Sequence, residues 1–197
     1  MVELYFLSVH HRLVHLREDI HKNKLLVLIL LVMFFVVSEQ GWAGTPPPAN
    51  DDCNGVISAS VPSTKTGTTI DSTSDTPLSE CGTSVDGPGV WYIVTGNGRT
   101  ITATTNSGST DYDTKLHVYC ANCEFPVCIG GNDDRDDSCG VVDSSLNFRT
   151  SEVSWCSREG DVYLIFVSGL LGDTGNFGLV VSDDGNTCFE ALTCPNH

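Results

Sequence analysis

Helical periodicity is the first thing missing from this chain. After residue 44 no stretch sustains an apolar repeat of 3.6 residues with capping residues at its ends, which argues against a helical bundle. Histidine is scarce too: beyond residue 44 only His117 and His197 occur. A Ser-His-Asp site needs a histidine beside a nucleophile and oriented by a carboxylate, and His117 stands mid-strand, on a face read as solvent-exposed. No G-x-S-x-G, H-E-x-x-H or P-loop is present. Carboxylate pairs of the glycosidase type are uninformative here, because so acidic a chain always offers candidates. These absences point away from an enzyme. Basic residues are few. Residues 1–43 hold four of the 10 basic and four of the 25 acidic residues, so the remainder keeps a net charge of −15. Such a surface repels phosphate backbones and anionic lipid, which excludes nucleic acid as a partner. The acidity serves either solubility or cation binding. There is no internal repeat and no Asn-x-Ser/Thr acceptor, Asn186-Thr187-Cys188 being at best a rare variant.

What is present begins with a leader. Lys22 and Lys24 precede an unbroken apolar run, Leu25–Val37, and small residues follow at Gly41, Ala43 and Gly44. This is the pattern of a secretory signal over residues 1–43, with cleavage expected after Gly41-Trp42-Ala43. Thirteen apolar residues are short for a membrane span, which needs about 20; the long segment before them keeps an uncleaved signal anchor as the alternative. His11 and His15 lie four apart, a spacing that could clasp a metal on a helix, but they belong to the leader. Residues 44–49 form a Pro-rich extended spacer. Residues 50–183 are read as the domain and 184–197 as a cysteine-containing tail.

Within 50–183 the chain shows about eight short β-branched or aromatic runs separated by Gly, Asn, Asp and Ser. They are 67–70, 90–95, 99–105, 114–119, 125–129, 145–149, 162–167 and 177–181. Gly96-Asn97-Gly98 and Asp173-Thr174-Gly175-Asn176 read as hairpin turns. This many strands in so short a domain predict an all-β, jelly-roll-like sandwich. Trp91 sits in an apolar run and is assigned to the core. Tyr112 and Trp155 lie among polar residues and are the better candidates for an exposed ligand platform.

The chemistry concentrates between residues 111 and 137. Leu116 and Val118 share one face of a strand, and Lys115, His117 and Tyr119 the other. Acidic groups stand at both ends of an expected hairpin, which at about 3.3 Å per residue brings them together. Asp111, Asp113, Asn132, Asp133, Asp134 and Asp136 could therefore supply hard oxygen ligands to a calcium ion, with Asp51 and Asp52 as further candidates. Crowded like charges are costly unless solvated, protonated or neutralised. An EF-hand does not fit: counted from Asn132, position six is Asp137 rather than glycine. The plainer reading is a solvated acidic turn whose side chains cap their own backbone.

An ordered set of motifs then carries a resemblance. It comprises NDDC at 50–53, GVWYIVTGNGRTITATT at 89–105, YDTKLHVY at 112–119, CIGGNDD at 128–134, SCG at 138–140, GDVYLIFVSG at 160–169 and TGNFGLVVS at 174–182. In that order they resemble the PPC-type module, the bacterial pre-peptidase C-terminal domain and its secreted eukaryotic relatives. The family's strand-opening aspartate falls on Asp113, its Asn-Asp-Asp loop on Asn132, Asp133 and Asp134, and its closing strands on Tyr163, Ile165, Val167, Phe177, Leu179 and Val181. The resemblance implies a non-catalytic jelly-roll-like sandwich with binding or secretion-related roles, some relatives binding calcium and extracellular polymers. No peptidase accompanies the module here, so an accessory role in proteolysis is not carried over. The expected function is a secreted binding module for an extracellular polysaccharide or matrix protein; a signal-anchored surface module and a small extracellular hydrolase are the alternatives.

All nine cysteines follow the leader, at 53, 81, 120, 123, 128, 139, 156, 188 and 194. Their spacing allows a zinc set, but export favours disulfides, and spacing alone leaves the connectivity open. The resemblance implies Cys123–Cys128 and Cys53–Cys81, with Cys139–Cys156 and Cys188–Cys194 as the simplest completions. Cys120, where relatives carry a small residue, is then the free thiol.

Overall fold

A computed structural model describes Lys24 and residues 45–74, 78, 80–120, 123–135, 150–191 and 194. The chain divides into two units, Met1–Thr45 and Pro46–His197; of the first, Lys24 and Thr45 are described, and the described strands lie in the second.

Its described residues form nine strands: β1 Ile57–Ser58, β2 Ser63–Thr68, β3 Gly89–Thr95, β4 Arg99–Thr104, β5 Thr114–Cys120, β6 Val127–Asn132, β7 Glu152–Cys156, β8 Val162–Gly169 and β9 Asn176–Thr187. They form a five-stranded sheet, β1-β3-β8-β5-β6, and a four-stranded sheet, β2-β9-β4-β7. With β1 set aside, the remaining order is that of a jelly roll. Among the described residues the non-strand elements are two 3-10 turns, Cys53–Gly55 and Leu170–Gly172. The expected run at 145–149 lies outside the described residues.

Two turn assignments need correction. Gly96-Asn97-Gly98 joins β3 to β4, and residues 173–176 join β8 to β9; both lead from one sheet to the other, so neither closes a hairpin. The chain does reverse there, but each new strand joins the opposite sheet and pairs within it. The hairpin at residues 114–132 is real, β5 pairing antiparallel with β6. β6 starts at Val127, after Pro126, whose missing N–H cannot enter a ladder, and it runs on through Gly130 and Gly131. β9 extends to Thr187, past the expected domain end at 183.

The inner faces of the sheets meet in one core. Val90, Tyr92, Val94, Leu116, Val118, Tyr163, Ile165 and Val167 come from the larger sheet; Ile101, Ala103, Val153, Trp155, Phe177, Leu179 and Val181 face them. Period-2 alternation places each set. Trp155 and Tyr112, expected at the surface, are 5% and 3% exposed. Trp155 follows the inward register of Val153 and packs on Tyr163 at 5.7 Å between ring centroids, while Tyr112 packs on Phe177 at 6.5 Å. Neither belongs to a ligand platform.

The larger sheet is covered on its other side as well. Trp91, Leu164, Phe166 and Tyr119 form a second cluster with Cys53 and Cys81, joined by Val56, Leu78 and Val85. The register puts Trp91, Phe166, His117 and Gly131 in one row across four strands. Segment 80–86 lies over this row. It comes so close that a Cβ on Gly131 would collide with the Cys81 carbonyl. Gly82, facing Gly131, adopts φ +72°, a conformation costly for residues with a side chain. His117, assigned to solvent from its place beside Lys115, is fully buried by this layer.

The disulfides follow from the same layering, and all four expected pairings are replaced. Cys53 bonds Cys123 and Cys81 bonds Cys128, because both cysteines of the covering layer reach the β5–β6 hairpin rather than each other. Cys123 and Cys128 therefore do not pair across their turn. Cys120 is not free. It ends β5 on the inner-face register and bonds Cys194, which packs against the main core. Cys156, at the end of β7, bonds Cys188, just after β9. β7 and β9 flank β4, and Thr100 of β4 pairs with Cys156 while its Oγ1 lies 3.5 Å from the Cys188 sulfur. Neither Cys139–Cys156 nor Cys188–Cys194 forms. Cys139 lies outside the described residues.

Candidate functional site

Asp113 precedes β5, and Asp133 and Asp134 follow β6, the strand paired with it. One carboxylate oxygen from each of the three lies within 4.8 Å of the others. The loop after β6 is held in place by its neighbours. Asn132 donates from Nδ2 to the Asp134 carbonyl at 2.9 Å and accepts the Glu152 N–H on Oδ1 at 3.0 Å. Arg135 N donates to the Thr150 carbonyl at 2.8 Å, and its Nε lies 3.5 Å from Glu152. Below them the Ser151 hydroxyl contacts the carbonyls of Thr114 and Asp133. Its backbone N–H donates to Thr105 Oγ1 at 2.8 Å, and that hydroxyl lies 2.6 Å from Thr114 Oγ1. A buried hydroxyl shelf thus fixes the two ends of the hairpin against each other.

The other sequence candidates are placed elsewhere. Asp111 accepts the Asn176 N–H at 2.7 Å and its side-chain amide at 3.0 Å, fixing the start of β9. Asp51 accepts from Thr73 N and Oγ1, each at 2.7 Å, and Asp52 caps the turn at Cys53–Gly55 through Asn54 N. Asn132 organises the loop through both ends of its amide. Asp136 lies outside the described residues.

Two residues that sequence reasoning missed complete the electrostatics. Lys115 is 1% exposed. Its Nζ lies 2.8 and 3.2 Å from the two oxygens of Asp86, 3.0 Å from Ser84 Oγ and 3.6 Å from Asp133. Burial acts to raise the Asp86 carboxyl, but hydrogen bonds from Lys115 and Ser84 outweigh it and hold the group below the usual carboxylate range. Asp133 moves the other way. Burial raises its carboxyl, Asp134 adds repulsion, and Lys115 offsets only part of this. Its Oδ1 is buried without a hydrogen-bond partner among the described residues. One ammonium thus serves Asp86 and Asp133, and through Asp133 it borders the trio with Asp113 and Asp134. A hint of this existed in the sequence: Leu78, Cys81 and Val85 are apolar residues in a stretch between the runs at 67–70 and 90–95.

The trio offers three hard oxygens of the type calcium prefers. A complete sphere takes about six to eight, so backbone carbonyls and water would have to supply the rest.

Fold and site together define a disulfide-stapled jelly-roll sandwich with an acidic rim at the open end of its β5–β6 hairpin. No family model matches the chain, and no curated protein or solved structure matches it. Four disulfides in one small domain point to an oxidising, extracellular setting. Among the described residues no helix is long and apolar enough to cross a membrane.

Proposed function

We propose that this chain is an exported, non-catalytic binding module of the PPC type, released by a signal at residues 1–43. Its Asp113–Asp133–Asp134 rim takes a calcium ion that rigidifies the edge, and the module binds an extracellular polysaccharide or matrix protein. The observation that carries the reading is the convergence of three carboxylates on a braced edge whose repulsion Lys115 offsets only in part. A divalent cation removes that repulsion, which like-charged groups otherwise relieve by taking up protons. The non-catalytic assignment draws support from His117, which segment 80–86 keeps out of reach of a substrate while it is closed.

Calorimetric titration with calcium tests the site, paired with melting of Asp113→Asn/Asp133→Asn in calcium and in chelator. The double variant is expected to lose stability in calcium and to change little in chelator. Equal loss in both conditions overturns the cation reading and leaves a purely structural edge. A glycan and matrix-protein binding screen on the calcium-loaded module then addresses the partner.

A further inference from the structure

The buried histidine takes no part in the acidic rim. His117 stands at the centre of the outward row of the larger sheet and is fully buried. Its Nδ1 lies 3.2 Å from the Cys81 carbonyl, so the neutral ring that suits this contact carries its proton on Nδ1 and donates it to segment 80–86. Nε2 is buried with no hydrogen-bond partner among the described residues. The ring packs on Tyr119 at 6.3 Å and Phe166 at 6.1 Å.

We propose that His117 is an acid-operated latch: protonating its ring releases segment 80–86 from the sheet and uncovers the outer face around His117 and Phe166, while the Cys81–Cys128 bridge keeps the segment tethered. A second ring proton would sit on Nε2, buried and without an acceptor, which is costly for a charged donor. The charged and titratable neighbours do not relieve it. On its own strand stand Lys115, a like charge, and Tyr119. From the covering segment Asp86 is committed to Lys115, and Glu80 is exposed beside Cys81. From β6 the facing residue is Gly131, with Asp133 beyond it turned toward Lys115. From β8 come Phe166 and Ser168. Burial correspondingly pushes the His117 ring down to about 4. Once the segment lifts, the ring meets water and regains an ordinary affinity for protons. The open-to-closed ratio therefore grows as pH falls from 6.5 to about 4, by about 300-fold in all, and then levels off.

The test is an NMR titration of the chain from pH 7 to 3.5, following the His117 ring nitrogens, the Trp91 indole N–H and the amides of 80–86. The expected result is an Nδ1–H tautomer at pH 7, followed by concerted change in those signals as His117 protonates, with the amides of β4 and β9 undisturbed. His117→Phe should keep the segment closed across the range. If His117 titrates without movement of 80–86, if the whole sandwich unfolds in the same step, or if His117→Phe opens identically, the latch is refuted. Should His117→Phe not fold, the titration of the unaltered chain decides alone.

Discussion

Replacing Lys115 by Met removes the counter-charge that the described residues bury in this edge. Methionine keeps much of the apolar stem and removes the ammonium. The loss falls on Asp86, 2.8 Å from the nitrogen, and on Asp133, 3.6 Å away. Removing one member of a fully buried pair costs about 3–5 kcal/mol, because the other is left uncompensated. Here the lysine side chain is 2% exposed, but Asp86 and Asp133 keep 26% and 32% of theirs. Water can partly rehydrate both carboxylates, so the cost should fall to about 2 kcal/mol. For a domain of this size that lowers the melting temperature by about 4–8 °C. Thermal melts in chelator, with the disulfides intact, measure it. Adding Asp86→Asn to Lys115→Met should recover part of the loss, since the stranded carboxylate is what costs. Melts of Lys115→Met that coincide with the parent would refute the idea that Lys115 neutralises the edge. So would a double variant whose losses simply add.

Peptide mapping under non-reducing conditions should recover the linked pairs 53–123, 81–128, 120–194 and 156–188; recovery of a 123–128 link would overturn the layered arrangement. Full reduction should destabilise the domain by several kcal/mol, at about 2–4 kcal/mol per bridge, and an unchanged melt would refute the disulfide framework. Gly131→Ala should cost about 1–3 kcal/mol in a denaturant titration, because the added methyl meets the Cys81 carbonyl; a neutral result would show that segment 80–86 does not lie on β6.

Much of the sandwich was legible because alternation in a strand is a local property. The runs at 90–95, 99–105, 114–119, 162–167 and 177–181 all became strands, and their inward residues form the core. Trp155 shows the limit of a different cue. Its polar sequence neighbours suggested exposure, yet the register it shares with Val153 sends it inward, and register outweighs neighbourhood. The turns show another limit. Gly96-Asn97-Gly98 advertises a reversal, but a reversal does not say whether the next strand returns to the same sheet. Disulfide connectivity was illegible for a related reason. Cys81 finds Cys128 because a segment far away in sequence crosses the outer face of β6, and nothing local to either cysteine encodes that crossing.

The acidic rim was visible as two charged ends of one hairpin, whereas its counter-ion was not. Placing Lys115 and His117 on a wet face assumed that a sheet with one packed side has one open side. The covering segment carries too few apolar residues to announce itself, and it is held by a bridge, a glycine contact and the Lys115–Asp86 pair as much as by burial. This has a consequence for the rim. Lys115 divides its charge between Asp86, which holds the covering layer, and Asp133, which belongs to the rim, and the shorter contact goes to the layer. A cation entering at Asp113, Asp133 and Asp134 would lessen the demand of Asp133 on Lys115 and leave the ammonium more fully to Asp86. Calcium at the rim should therefore tighten segment 80–86 as well, and lower the pH at which that segment lifts.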